Sequence, residues 1–308
     1  MINKLKSEIH KAVIGHEELV DAMLIALLCD GHILVEGVPG VAKTTAVNAL
    51  AKAIGFEFKR VQFTPDLLPS DIVGNEILDL KANEYKIKHG PIFTNLLLAD
   101  EINRSSPKVQ AALLEAMAEN QVTIGEQSFK LQKPFMVLAT ANPIDQEGTY
   151  ELPEASVDRF MIKAIVGYNN FKEELDIMDK AANGNFEQVE QVLSSSEFSE
   201  LKEQINSVHI EPALKEYMLK LIFETREPSE DIAKYIEFGV SPRGSISLFK
   251  TSRATAYLNG RDFVTPADIA SSAYLTLRHR IKLNYQASID SITSDEIIAK
   301  IIAKVPAP

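Results

Sequence analysis

The sequence predicts an α/β domain built on a mostly parallel sheet, followed by an all-helical domain. Three observations predict it. Up to about residue 168, short apolar runs alternate with helical patterns, as in a sheet whose crossover helices cover both faces. A Gly-rich segment, Gly37-Val38-Pro39-Gly40-Val41-Ala42-Lys43-Thr44, sits at one strand-to-helix junction. Beyond Tyr168 the strand signals stop and only helical patterns remain.

In chain order, the runs His32 to Val35, Phe58 to Phe63, Leu96 to Ala99, Phe135 to Thr140 and Met161 to Val166 read as buried strands. Thr44 to Ile54 reads as a helix. Val47, Leu50 and Ile54 repeat at spacings of three and four, and Gly55 supplies the stop. Another helix starts at Ser105 or Ser106, with Pro107 in its first turn and Val109, Leu113, Leu114 and Met117 on one face. Glu76 to Lys88 alternates like a hairpin with Asn83 near its turn, and Gln121 to Leu131 does so around Gly125. After the break, Phe171 to Ala182, Ser199 to Ile205, Pro212 to Thr225, Arg243 to Leu258 and Pro266 to Ile281 read as helices, the last with Thr265 as N-cap. The expected domains are therefore 1–168 and 169–308.

Composition narrows the class. A chain of 308 residues that is 45% hydrophobic and 24% charged can bury a sizeable core. Its net charge of −11 offers no general attraction for nucleic acid. No uncharged apolar run approaches the roughly 18 residues that span a bilayer, and the first residues lack the apolar centre of a signal peptide. Cys29 is the only cysteine, so no disulfide forms within the chain, which fits a reducing cytoplasm. The six histidines are scattered without metal-ligand spacing, and no Gly-x-Ser-x-Gly elbow is present.

The Gly-rich segment has the spacing and context of a P-loop. Main-chain N–H groups of such a loop and of the helix start converge on phosphate oxygens. Gly37 and Gly40 let the backbone approach closely, Lys43 sets a charge on the β and γ phosphates, and the Thr44 hydroxyl ligates Mg²⁺. Ala42 stands where Gly is usual; it is expected to take an ordinary helical φ. Leu96-Leu97-Leu98-Ala99-Asp100-Glu101 delivers two carboxylates at the end of an apolar strand. Asp100 is expected to hold Mg²⁺ through water and Glu101 to act as general base on the attacking water. Solvated carboxylates at strand ends are common, so the pair gains its weight from the P-loop upstream. Asn142, after the strand ending at Thr140, can bond both the γ-phosphate and the lytic water, although alone it would read as a turn before Pro143. Arg159 and Arg243, in Asp158-Arg159-Phe160 and Ser241-Pro242-Arg243, can stabilise charge on a transferring phosphate. Read singly, each would be a surface salt bridge.

Together these motifs resemble the MoxR family of AAA+ ATPases, over nearly the whole chain. Carrying the resemblance beyond the P-loop are Leu68-Pro69-Ser70-Asp71-Ile72-Val73-Gly74, Gly90-Pro91-Ile92-Phe93, Asp100-Glu101-Ile102-Asn103-Arg104, Ala111 to Met117, Glu147-Gly148-Thr149-Tyr150 and Leu152-Pro153-Glu154-Ala155. The resemblance implies a P-loop NTPase αβα core with a five-stranded parallel sheet and an all-α lid. It implies ATP and Mg²⁺ as cofactors. Val38, Pro39, Val41 and Thr45 join the phosphate segment, and Ile14 and Gly15 the adenine side, where His16 stands in place of the usual Gln. Asn142 becomes sensor 1, Arg159 a finger acting on a neighbour's ATP, Arg243 sensor 2 and Arg104 an interface residue. The hairpin of 76–88 becomes an insert in helix 2, that of 121–131 precedes the sensor-1 strand, and both face a central pore. A finger acting on a neighbour implies a homo-oligomeric ring, expected to be hexameric. Similar proteins are cytoplasmic chaperones that remodel, activate or load metal into partners, often ones with a von Willebrand factor A domain. Three other readings share parts of this pattern: a magnesium-chelatase motor subunit, a nucleic-acid motor, and an ATP-binding scaffold that does not hydrolyse.

Overall fold

A computed structural model describes residues 1–38, 40–80, 83–142, 149–184 and 186–308, with the side chain of residue 183 excepted. Within them the chain forms α1 Ile2–Ile9, α2 Glu17–Leu28, β1 Ile33–Gly37, α3 Lys43–Ile54, β2 Phe58–Gln62, α4 Pro69–Val73, β3 Gly74–Asp79, β4 Glu84–His89 and β5 Leu96–Asp100. It continues through α5 Pro107–Glu119, β6 Gln121–Ile124, β7 Gln127–Lys130, β8 Met136–Ala141, α6 Glu154–Val157, β9 Ile162–Val166, α7 Phe171–Asn183 and α8 Ser195–Ser207. The remainder is α9 Pro212–Arg226, α10 Glu230–Ala233, β10 Ile236–Phe238, α11 Pro242–Leu258, α12 Pro266–Leu277, β11 Lys282–Leu283, α13 Tyr285–Ile289 and α14 Ser294–Lys304.

Two compact units emerge, and their division interleaves along the chain. Residues 1–156 and 164–198 make the first, and 157–163 and 199–308 the second. The reason lies in main-chain bonding. The stretch before α8 stays with the first unit because Val192 and Leu193 donate to the Ala53 carbonyl, at 2.8 and 3.2 Å, and Phe198 meets the Phe56 ring edge-on. In the segment 157–163 the Phe160 and Lys163 carbonyls are taken by the side chains of Arg278, His279 and Arg280, just after α12 in the second unit.

In the first unit the sheet runs β2-β5-β8-β1-β9, and the ladders β2–β5, β5–β8 and β8–β1 are parallel. β5 and β8 are buried in every position but the last, as strands covered on both faces must be. β2 departs from the buried strand expected at Phe58 to Phe63. It lies at the sheet edge, and Arg60 and Gln62 are exposed while Val61 is buried. Successive side chains of a strand point to opposite faces of the sheet, and at this edge the face of Arg60 and Gln62 is open to solvent while that of Val61 and Phe63 is buried. Both hairpins form. β3 pairs antiparallel with β4 from Gly74↔His89 to Asp79↔Glu84, and β6 with β7 from Gln121↔Lys130 to Ile124↔Gln127. Asn83 and Gly125 turn them with φ of 50° and 60°, a region open to Asn and Gly.

The second unit packs α9, α11, α12 and α14 around Leu221, Ile222, Leu248, Ile269, Leu277 and Ile297. Thr265 caps α12, and the buried Asp268 accepts from its N–H at 2.8 Å and from both Arg261 terminal nitrogens at 2.6 Å. One element was not expected there: β10 and β11 form a short antiparallel pair among the helices. At three and two residues they are too short for an apolar period to announce them.

Candidate functional site

The register of the parallel ladders brings the candidate residues to one edge. Ala99 pairs with Ala139, and Glu36 with Ala141, so the chain leaves β1, β5 and β8 on the same side of the sheet. Ligands of open α/β sheets bind outside that carboxyl edge. There Gly37, Gly40, Val41, Ala42, Lys43, Thr44, Thr45, Asp100, Glu101 and Asn142 line one cleft of about 350 Å³, joined by Arg60, Gln62 and Thr140. Pro39 falls outside the described residues, as do Pro143 and the Glu147-Gly148 part of the Glu147-to-Tyr150 motif. Val38 is described but is not among the lining residues.

Each of the two glycines also meets a requirement of the fold itself. Gly37 carries no Cβ because one would meet the Val166 carbonyl oxygen at 2.4 Å. Gly40 has open space around it, and its φ of 87° is what requires glycine. Ala42 corrects the expectation of a helical φ: it sits at φ 49°, left-handed, as the N-cap of α3. The chain turns from loop into helix at this residue, which explains why Gly is usual there.

Lys43, first residue of α3, points its Nζ at the Gly37 carbonyl, 2.9 Å away. Burial pushes its ammonium below the usual lysine range, and Asp100 and Glu101 pull it back. Asp100 is held on both oxygens. Thr140 Oγ1 donates to Oδ1 at 2.7 Å, and Arg60 donates to Oδ2 from Nη2 at 2.6 Å and Nε at 3.1 Å. Glu101 has a left-handed backbone, φ 57°, and its N–H donates to Thr140 Oγ1 at 2.8 Å. Its Oε2 accepts from Gln62 Nε2 at 2.9 Å and from Arg104 Nη1 at 3.1 Å. Arg60 Nη2 also donates to Gln62 Oε1 at 3.1 Å, so one network holds both carboxylates.

Arg60, Gln62 and Thr140 were not singled out from the sequence. The one signal is the register Gln62↔Asp100, which sets β2 side chains beside the acidic strand end and exists only once the strands pair. Ile14 and Gly15 lie elsewhere in the first unit, against the segment after β9. Asn169 Nδ2 donates to the Ile14 carbonyl at 3.0 Å, and a Cβ on Gly15 would meet Asn169 at 2.5 Å. A second cleft of about 390 Å³ shares Thr45 with the first and is lined also by Ala12, Asn48, Lys52 and Glu187.

Arg159 and Arg243 belong to the second unit, where Asp158 is the residue before Arg159 and the carboxylate that Arg243 approaches. Ser241 Oγ donates to both Asp158 oxygens, at 2.9 and 3.0 Å, and accepts from the Arg243 N–H at the start of α11. The Arg243 guanidinium approaches Asp158 Oδ2 at 3.4 Å and is 56% exposed, so it is only loosely held. Nε of Arg159 is buried and has no hydrogen-bond partner among the described residues.

Chemically, the cleft offers a lysine and a helix start for anionic oxygens, a hydroxyl and a carboxylate for a hard cation, and a second carboxylate beside them. Among the described residues no group of three or more His, Cys, Asp or Glu gathers. A cation here would need further oxygens from its ligand or from water, which is how Mg²⁺ is commonly held beside phosphates. Among the described residues no helix is long and apolar enough to cross a membrane.

Comparison with known proteins identifies the family of the chain. The family described as ATPase family associated with various cellular activities (AAA) matches residues 32–162, and the AAA lid domain matches residues 229–301. The chain is 44% identical to YeaC of Bacillus subtilis (strain 168), a protein of uncharacterised role, over 100% of this chain and 95% of that one. It is 42% identical to Chaperone MoxR1 of Mycobacterium tuberculosis, over 98% of this chain and 81% of that one. The crystal structure of a provisionally assigned ATPase from Cytophaga hutchinsonii superposes with a TM-score of 0.93 at 46% identity, covering 100% of this chain and 94% of that one.

Proposed function

The chain belongs to the MoxR family of AAA+ ATPases, and we propose that it hydrolyses ATP in the cleft at the carboxyl edge of its sheet to drive the remodelling of partner proteins. One observation carries the reading: Lys43, Asp100 and Glu101 line the same cleft as the first turn of α3. In this reading the phosphates take the α3 amides and the Lys43 ammonium, and Thr44 and Asp100 hold Mg²⁺. Glu101 removes the proton from the attacking water. Asn142 orients that water, and the base lies on the side of Ile14, Gly15 and Thr45. Gln62 and Arg104, both bonded to Glu101 Oε2, fix the orientation of the carboxylate and leave Oε1 to take the proton.

The proposal extends to assembly. Arg159 serves the ATP of a neighbouring subunit and Arg243 reports the nucleotide state, which requires a ring of identical chains, taken as hexameric. The ring acts on protein clients in the cytoplasm, where ATP is supplied, with a von Willebrand factor A domain protein as its partner. Activation, complex assembly and metal insertion are the outcomes such work would have. The relative named a chaperone supports this direction.

Glu101→Gln tests the chemistry. The substitution keeps shape and hydrogen bonding but removes the base, so Mg·ATP stays bound while turnover falls by about 10²-fold or more. Nucleotide retention after gel filtration and phosphate release measure the two effects. Unchanged turnover would remove Glu101 from its role.

A further inference from the structure

Arg280 lies in the turn just after α12, far in sequence from every motif discussed, and its side chain is 2% exposed. A guanidinium has five N–H donors, and here all five are used. Nε donates to Asp158 Oδ1 at 2.9 Å. Nη1 donates to the carbonyls of Met161 at 3.1 Å and Thr276 at 2.5 Å. Nη2 donates to the carbonyls of Asp158 at 3.0 Å and Phe160 at 2.6 Å. The two residues flanking Arg159 are thus bonded by a single nitrogen. Arg280's neighbours reinforce the grip: His279 Nε2 donates to the Phe160 carbonyl at 2.9 Å, and Arg278 Nη1 to the Lys163 carbonyl at 3.3 Å. Three consecutive side chains hold the main chain on both sides of Arg159, whose own Nε takes no partner among the described residues.

We propose that Arg280 is a positioning residue for the trans-acting finger: it clamps residues 158–161 so that Arg159 is presented in one orientation to the neighbouring subunit's ATP. The proposal rests on the reading of Arg159 given above. Arg280 touches no nucleotide in this scheme and acts only through the main chain it grips. Asp158 joins the clamp to the second candidate arginine, because the carboxylate bonded by Arg280 is also approached by Arg243 and capped by Ser241. Lysine cannot replace this guanidinium, since an ammonium has three donors and no fork.

Mixed rings test it. Arg280→Lys subunits keep a complete ATP site but present a slack finger, and Lys43→Ala subunits have a dead site and an intact finger. Alone, Arg280→Lys should bind a fluorescent ATP analogue as wild type does while its turnover falls about 10²-fold, the scale of a misplaced group. Mixed with Lys43→Ala, in rings shown by differential tagging to contain both, turnover should exceed the sum of the two separate samples. Asp158→Asn, which keeps the shape and removes the charge facing the guanidinium, should recover in the same way and carries the test if Arg280→Lys does not fold. Arg159→Ala mixed with Lys43→Ala is the control. Recovery with Arg159→Ala but not with the folded clamp variants, or wild-type turnover in Arg280→Lys alone, would overturn the clamp and leave the finger standing. No recovery in the control would sink the finger reading and the clamp with it.

Discussion

At the scale of the residue, hydrogen-bond accounting decides what a side chain can be. His32 is buried between β8 and α5, with Nδ1 3.0 Å from the Val137 N–H and Nε2 3.2 Å from the Met117 carbonyl. A backbone N–H only donates, so Nδ1 accepts and the ring proton sits on Nε2. A second proton would face a donor. Burial agrees, pushing the imidazole down to about 4. In the unfolded chain the same ring takes its proton near pH 6.5. Between those values the unfolded state binds more protons, so stability falls as pH drops from 6.5 to about 4, by roughly 3 kcal/mol from this residue. The buried His279, whose pKa lies well below the usual value through burial and then the Arg280 charge, adds a loss of the same sign. Urea melts at pH 7 and 4.5 check this. His32→Gln should be less stable than wild type at pH 7 yet lose less on acidification; parallel losses would contradict the assignment.

At the scale of the element, the two hairpins are joined to each other. Glu76 of β3 fills the space where Gly125, in the β6–β7 turn, would carry a Cβ, its Oε1 only 2.1 Å from that position. On the other side the His89 ring of β4 lies tilted against Phe93, centroids 4.0 Å apart, and meets Phe129 of β7 edge-on at 5.2 Å. A two-stranded hairpin is marginal alone, and contact of this kind lets each support the other. Phe129→Ala removes the ring from that cluster. Amide hydrogen exchange should then quicken in β3 and β4 as well as in β6 and β7, with the β5 and β8 amides unaffected. Faster exchange confined to 121–130 would mean that the hairpins open independently. The tip of the β3–β4 hairpin carries exposed apolar groups, Leu80 at 84% and Tyr85 at 71%.

At the scale of the whole molecule, the candidate residues divide between two units: the cleft is built within the first, and Arg159, Arg243 and Arg280 within the second. The clamp on residues 158–161 explains why a segment lying between β8 and β9 in sequence belongs to the helical unit. Binding energy should follow the same division. At 100 times its dissociation constant, a non-hydrolysable ATP analogue with Mg²⁺ should stabilise the native state by about 2.7 kcal/mol. Lys43→Ala should lose that gain, whereas Arg159→Ala at the same protein concentration should keep it. Differential scanning calorimetry reads both, and equal stabilisation of Lys43→Ala would place the ligand outside this cleft.

What the sequence determined by itself was local. The P-loop announces itself by its spacing, and the acidic pair at 100–101 and Asn142, each following a strand, take their reading from it. Parallel pairing then requires the ends of β1, β5 and β8 to meet at one edge. The helical unit was legible from its period and from the Thr265 cap, whereas the Ser241 cap came with the structure. Only the tertiary structure decided what stands beside these groups. Arg60 reaches Asp100 because β2 pairs with β5, and Arg280 reaches residues 158–161 across more than a hundred residues of chain. Ala42 adopts a left-handed φ that its residue type disfavours, because it is where the loop must turn into α3. A motif is written in neighbours along the chain, whereas a hydrogen bond between distant segments depends on which surfaces the fold has buried against one another.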